Sequence, residues 1–170
     1  MKAEMRESIL HLLEDHRLMS LATIRPDGWP QATVVSYVND GLALYCFVHR
    51  LSQKFANIQR EPRVSATVAG EFSSTSNIKG LSFAARAKAV EDKSEYERIT
   101  GLFMKRFPEY ADWPRPAPAL APLVALMPEI FSVIDYSKGF GHSDLMTVSR
   151  EDIVPQESRH QNWFTNMMGR

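Results

Sequence analysis

The sequence predicts an antiparallel β-barrel with peripheral helices, a mainly β chain of the α+β class. Three observations predict it: six or seven short segments rich in β-branched and aromatic residues, tight turns between the first strands, and few helical patterns. Closing such a sheet also removes exposed strand edges. We therefore expect one domain over residues 1–170, with an N-terminal helix over about 3–16, a barrel over about 18–148 and a C-terminal tail over about 149–170.

The first part of the chain predicts a helix followed by a meander of three strands. Met5, Ile9 and Leu12 recur at helical spacing, which is typical of an amphipathic helix. After that helix the pattern changes to β-prone runs separated by P-D-G and N-D-G turns. Because consecutive strands joined by tight turns pair antiparallel, a meander is expected. The predicted strands cover 18–24, 31–38 and 42–48.

The second part of the chain predicts three helices and up to four more strands. Ser52 begins a short helix, and Pro62 ends it because the residue before a proline avoids helical geometry. Ser94 and Glu97 have capping-box spacing at the start of the next helix. The predicted elements are, in order, strands over 63–69 and 81–90, a helix over 94–106, a proline-rich surface connection over 113–122, strands over 130–136 and 145–148, and a short helix from 157.

Composition excludes several classes of function. Twenty basic and twenty acidic residues give a net charge of zero, which argues against a protein held to nucleic acid by bulk charge. The charged N-terminus lacks the apolar run of a signal peptide, and no uncharged stretch is long enough to span a bilayer. A single cysteine, Cys46, excludes an intramolecular disulfide and an all-cysteine metal site. We expect a cytoplasmic protein without a metal site, a membrane partner or a nucleic-acid partner.

One segment combines features of an anion site. A strand leads into His49 and Arg50, and Ser52 then begins a helix whose first turn contains Gln53 and Lys54. The first N–H groups of a helix lack intrahelical acceptors and carry the positive end of the helix dipole. A hydroxyl and cationic side chains at that position suit a phosphate. A solvated loop in which Ser52 only caps the helix fits the same spacing, so both interpretations remain open at this point.

Two longer segments, read in order, resemble a known family. LATIRPDGWPQATVVSYVNDGLALYCFV followed by SQKFANIQREPRVSATV is similar to the FMN-binding split-barrel proteins related to pyridoxamine 5'-phosphate oxidase. The shared pattern is a strand, a D-G-x-P turn, two further strands, and S-x-K opening a helix that ends before P-R-V. The resemblance covers roughly 18–90. It implies a split barrel of six or seven strands, a homodimer with FMN at its interface, and oxidoreductase chemistry with a small-molecule substrate or electron donor.

The resemblance also implies which residues hold the cofactor. The family's phosphate-binding positions correspond to Ser52, Gln53 and Lys54, with His49 or Arg50 as a further cation. The edge of the isoalloxazine ring would meet the second strand, largely through backbone groups, at Thr33, Val34, Val35 and Ser36. Two looser matches are Val48, where the oxidases have a hydroxyl residue, and Ser82, where they have a glutamine.

Departures from the oxidase pattern concern the substrate. The oxidases begin the second strand with Arg and end it with Lys, whereas this chain has Ala32 and Tyr37 there. The oxidases' C-terminal Trp and R-L-x-P signature is also missing. We therefore do not expect pyridoxamine 5'-phosphate as the substrate, and no catalytic residue is assigned.

A non-catalytic carrier of flavin, haem or the deazaflavin F420 is the alternative function. The segment DYSKGFGHSD faintly resembles a GFG-containing region of haem-binding split barrels, and haem would make His142 or another histidine an iron ligand. Haem would leave the phosphate-binding residues without a purpose, whereas F420 also carries a phosphate. A strand-ending turn with a hydrogen-bonded His142 is the simpler structural interpretation. A barrel without any cofactor is the third possibility, and Cys46 is expected to be a buried small hydrophobe.

Overall fold

The computed structural model of the protein describes residues 1–70, 74, 77–112 and 119–153. The helices are α1 (Ala3–Asp15), α2 (Gln53–Arg60), α3 (Lys93–Arg106) and α4 (Arg150–Ile153). The strands are β1 (Leu18–Ile24), β2 (Pro30–Ser36), β3 (Val38–Asp40), β4 (Ala43–Phe47), β5 (Arg63–Ala69), β6 (Lys79–Ala89), β7 (Leu123–Asp135) and β8 (Ser143–Thr147). Short 3-10 helices cover Pro108–Asp112 and Tyr136–Lys138.

The strands form one antiparallel sheet that curls into a half-barrel. Its order is β2-β1-β5-β6-β7-β4-β3, and β8 pairs with β7. The edge strands β2 and β3 are consecutive in the chain and are separated by Tyr37 alone, which draws the two edges of the sheet together. The predicted mainly β split barrel is confirmed. The sheet has eight strands instead of six or seven, because the predicted strand over 31–38 breaks at Tyr37 and its two parts pair with different neighbours.

Two apolar clusters hold the sheet and helices together. Inside the curl, Ile9 and Leu13 of α1 pack with Leu21 and Phe131. On the outer side, α3 covers β3, β4 and the first part of β7 with a second cluster around Phe103. Burying a large aliphatic or aromatic side chain stabilises a fold by about 1.5–3 kcal/mol. The two faces of β4 therefore belong to different cores.

Tyr37 is buried at the junction of β2 and β3. Its hydroxyl donates to the Leu13 carbonyl at 2.8 Å, and the Arg106 guanidinium lies 5.4 Å from its ring. Burial raises the pKa of this phenol, with Arg106 opposing the rise. The position at which the oxidases have a lysine thus has a structural role in tying α1 to the sheet.

The prediction of a strand over 130–136 was wrong in extent, because β7 begins at Leu123 and spans 13 residues. Pro128 lies inside it, where prolines are usually excluded from central strands. The register shifts beside Pro128: Ala84 and Ala85 of β6 pair with Ile130 and Pro128, so Glu129 of β7 is the extra residue of a bulge next to the proline. On its other side, β7 changes partner around Pro128, from β4 along 123–126 to β8 along 130–134.

The predicted capping box at the start of α3 was also wrong. Asp92 is the N-cap: its carboxylate accepts from the Glu95 N–H at 2.7 Å and from the Ser94 hydroxyl at 2.6 Å. A carboxylate is favoured at the positive end of a helix, so Asp92 caps in place of Ser94 and the helix begins at Lys93.

The other predicted elements that fall on described residues end within two residues of the observed bounds. Most of the proline-rich connection and the predicted helix from 157 lie outside the described residues. Within the ranges that are described, no helix is long and apolar enough to span a bilayer.

Candidate functional site

A tight turn fixes the first turn of α2. The Ser52 hydroxyl accepts a hydrogen bond from the Phe55 N–H at 3.2 Å, and the Ser52 N–H donates to the His49 carbonyl at 2.9 Å. The Leu51 N–H donates to Nδ1 of the exposed His49 ring at 3.2 Å. Ser52 caps the helix as predicted. At this terminus the N–H groups of Gln53 and Lys54 have no intrahelical acceptor, as is usual for first-turn residues.

Lys54 is a half-buried cation without a described counter-charge. Burial lowers the pKa of its ammonium group, and it forms no ion pair with any carboxylate in the described part of the chain. The neighbouring titratable group is the Cys46 thiol, which is fully buried and whose pKa burial raises to about 12. Cys46 is therefore neutral and gives the ammonium group no compensation. A partly desolvated charge in this position gains from an anion.

A buried polar network joins α2 to β1 and β2. The Asn57 side chain is fully buried and donates to the Thr23 hydroxyl at 2.9 Å and to the Gln31 side-chain oxygen at 3.1 Å. Gln53 donates to the Asn57 side-chain oxygen at 2.8 Å. Sequence reasoning missed this network. The only signal was an asparagine at a helix position flanked by the apolar face of α2.

Thr33 on β2 supplies a second unsatisfied group. It pairs with Leu21 across the β1–β2 ladder, and its Oγ1 is buried without a hydrogen-bond partner among the described residues. Next to it, Val34 is 67% exposed on the outer face, Val35 is buried and Ser36 is half-buried. β2 is an edge strand that lies beside β4 without pairing with it. The edge of β2 therefore lies beside β4, the strand that leads into α2.

The remaining predicted site residues lie in three environments. Arg50 Nε donates to the Ala119 carbonyl, and its guanidinium lies 5.7 Å from the Phe55 ring. Val48 is buried in the interior cluster, and its N–H donates to the Pro122 carbonyl at 3.1 Å. Ser82 lies on β6 between Thr67 and Ser132, on the outer face of the sheet. Ser82 thus lies on the opposite face of the sheet from the buried Thr33 hydroxyl.

The outer face of β1, β2, β5 and β6 is uncharged over a wide area. It presents small, hydroxyl and aliphatic side chains, and we call this surface the uncharged face: Leu18, Ser20, Ala22, Ala32, Val34, Ser65, Thr67, Ser82 and Ala84. Leu145 on β8, at 70% exposure, extends it across the sheet. The exposed aliphatic side chains on this face, Leu18, Val34 and Leu145, make it a candidate interaction surface.

The turn between β7 and β8 presents an aromatic ring. Phe140 is 96% exposed between Gly139 and Gly141, whose positive φ angles of 139° and 73° suit glycine. Its ring centroid lies 5.6 Å from that of Tyr136. Such a turn projects Phe140 away from the body of the sheet.

The ionic groups of the same turn are paired with one another. Asp144 accepts from Lys138 Nζ at 3.0 Å and contacts His142 Nε2 at 3.2 Å. Hydrogen bonds from these two groups lower the pKa of Asp144. Over the described ranges, no group of three or more His, Cys, Asp or Glu side chains is placed to hold a metal.

The sequence profile of pyridoxamine 5'-phosphate oxidase matches residues 5–129, which is most of the chain. The chain belongs to this family. The match confirms the resemblance seen in the S-x-K segment and the preceding strands. A search of curated proteins found no match.

Solved structures show the same fold. A haem-binding protein of Mycobacterium smegmatis is 17% identical with a TM-score of 0.72, and the match covers 86% of this chain but only 59% of that one. The haem storage protein HutZ of Vibrio cholerae is 19% identical, with a TM-score of 0.61 and coverage of 83% and 92%. The conserved protein Rv2991 of Mycobacterium tuberculosis is 24% identical, with a TM-score of 0.66 and coverage of 88% and 92%. At these identities the likeness concerns the fold alone.

Proposed function

We propose that residues 1–170 form one FMN-binding domain that acts as an FMN-dependent oxidoreductase on a small molecule. The observation that carries the proposal is Lys54, a half-buried cation at the first turn of α2 without a described counter-charge. A phosphate at the α2 terminus would supply the missing negative charge and accept from the free N–H groups there. Membership of the oxidase family makes FMN the phosphate ligand that best fits this position.

The residues present fit such a cofactor. Lys54, with the Ser52–Gln53 turn, would hold the phosphate. Arg50 lies just before that turn as a further cation, and His49, whose Nδ1 accepts from the Leu51 N–H, would donate through Nε2. The orphaned Thr33 hydroxyl would gain a partner from a polar group of the ligand. FMN, when bound, supplies the electron and hydride transfer, so the protein's task is to bind, orient and shield it.

The flavin ring would lie along the edge of β2. Backbone groups of residues 33–36 on that edge are free of strand pairing on one side, and Val34 projects outward beside them. We infer that a second copy of the chain covers the uncharged face, giving a homodimer with FMN at the interface. Ser82 lies on that face and would contribute to the partner's site, whereas buried Val48 would act through its backbone. The substrate or electron donor would enter between the copies.

The experiment is a titration of purified protein with FMN, followed by flavin fluorescence, with Lys54→Ala compared against Lys105→Ala. Lys105 is an exposed lysine on α3 and serves as the matched control. Loss of a charge-assisted contact to phosphate should weaken FMN binding by about tenfold or more in Lys54→Ala alone. Equal affinities for both variants would remove the phosphate assignment, and a wild-type protein that binds no FMN would remove the proposal.

Haem binding is the second candidate function, because two structurally similar proteins are named for haem and His142 is exposed enough to ligate iron. Here Asp144 already contacts His142 Nε2, which favours the flavin proposal. An absorbance spectrum of freshly purified protein separates the two: two broad flavin bands support FMN, whereas a Soret band lost in His142→Ala supports haem. A parallel titration with F420 tests the remaining candidate cofactor, which also carries a phosphate.

A further inference from the structure

A cavity of about 930 Å³ lies on the outer side of the sheet. It opens where β7 exchanges β4 for β8, so that Met127, Pro128 and Glu129 are left without a strand partner on that side. α3 and α4 border it through Arg98 and Ile153. The cavity is separate from the Lys54 site. In β4, Tyr45 faces α3 and the cavity, whereas Cys46, the neighbour of Lys54, faces the barrel interior.

The floor of this cavity is apolar. Ala43, Met127, Pro128, Val148 and Ile153 line it, and they come from β4, β7 and the segment after β8. Pockets that bind small molecules are commonly about 300–1,000 Å³, largely apolar, with a few polar groups that orient the ligand. A methionine in such a floor adapts its shape to different apolar bodies.

The rim of the cavity carries five charged side chains, of which four are paired. Arg98 forms an ion pair with Asp40, and Arg86 pairs with Glu129 at 2.7 Å. The fifth, Lys88, belongs to neither pair and forms no ion pair with any other described residue. Among the residues that the structure describes, the rim therefore has an excess of one positive charge, located on Lys88 above an apolar floor.

We propose that this cavity binds an amphipathic monocarboxylate, with its apolar body on the floor and its carboxylate on Lys88. The single excess charge matches a single carboxylate, and both existing ion pairs can stay intact when the ligand binds. Burial of the apolar body supplies most of the affinity, and Lys88 selects the sign of the charge.

The test is isothermal titration of the full-length protein with decanoate below its critical micelle concentration. Decyltrimethylammonium has the same chain with the opposite charge, and acetate has the carboxylate without the chain. We expect saturable binding of decanoate, clearly weaker binding of decyltrimethylammonium and no saturable binding of acetate. Absence of decanoate binding, or equal binding of the decyl cation, would overturn the proposal.

Variants locate the binding. Lys88→Gln should weaken decanoate binding by about fivefold, the size of one exposed ion pair, whereas Lys105→Gln should leave it unchanged. Equal effects of these two substitutions would also overturn the proposal. Lys54→Ala should retain full decanoate affinity, so that failure of FMN binding and failure of carboxylate binding are read separately.

Discussion

The first turn of α2 and the turn between β7 and β8 both carry cationic groups, but only one of them satisfies those groups internally. At the β7–β8 turn, Asp144 contacts both Lys138 and His142. At α2, Lys54 is half-buried and faces a neutral Cys46. A cluster whose charges are already balanced gains little from an added anion, whereas an unbalanced, partly desolvated cation gains much. The presence of cations is thus a poorer guide to a site than the absence of their partners.

The unbalanced charge at Lys54 depends on α2 being held in place against the sheet. Of the substitutions below, Asn57→Ala should disturb that placement most. This substitution leaves Gln31 and Gln53 without their buried partner, which should cost about 2 kcal/mol of unfolding free energy. Because α2 would lose its tie to β1 and β2, FMN affinity should fall as well. Chemical denaturation measures the first effect and flavin titration the second. Gln59→Ala, on the exposed side of the same helix, is the control, and a loss of stability no larger than in that variant would refute the prediction.

Removing a helix cap tests whether the α2 terminus does more than begin a helix. Ser52→Ala should lower the unfolding free energy by about 1 kcal/mol. Asp92→Ala removes the corresponding cap of α3 and should also lower thermal stability. Only the first substitution should weaken FMN binding, because only the α2 cap belongs to the proposed phosphate site. If both variants bind FMN like the wild type, the α2 terminus is merely structural.

The smallest effect concerns stability without cofactor. Burial lowers the pKa of Lys54, so at neutral pH its charge costs stability, and this cost is relieved as pH rises through the lowered pKa toward 10.5. Lys54→Met should therefore be slightly more stable than the wild type at neutral pH, with the advantage shrinking at high pH. Added FMN should reverse the order.

Lys138→Met sharpens the same comparison. The hydrogen bond to Asp144 raises the pKa of Lys138, so its charge is favoured in the folded chain and its loss should bring no gain in stability. Thermal melts of Lys54→Met and Lys138→Met across pH, with and without FMN, measure both stability changes. A Lys54→Met protein less stable than the wild type without cofactor at neutral pH would show that the charge is already compensated.

Local sequence signals predicted most of the fold. The β-branched runs and N-D-G turn located the early strands, and Ser52 with Pro62 bounded α2 because capping and proline geometry act over a few residues. The same reasoning failed at Pro128, whose place in a central strand depends on a bulge at Glu129 and on strands β4 and β6, which are far away in sequence. It failed at Asp92 because two neighbouring residues could each cap the helix.

The candidate site was predicted only in its sequence-local part. Ser52, Gln53 and Lys54 follow from a contiguous motif, but the lack of a counter-charge at Lys54 is a property of three-dimensional surroundings. The Asn57 network joins residues from α2, β1 and β2. The Thr33 hydroxyl is unsatisfied because no hydrogen-bond partner among the described residues lies beside it. No spacing rule along one chain reports such contacts.

The position of β7 in the sheet has a consequence for how the chain is made. β7 pairs with β4, β6 and β8, yet it is synthesised long after β4. Until then β4 pairs only with β3, and the curl has no strand to close it. Contacts this distant in sequence slow folding and leave apolar edges unpaired while synthesis continues. Nascent chains halted before Leu123 are therefore expected to be the aggregation-prone form of this protein.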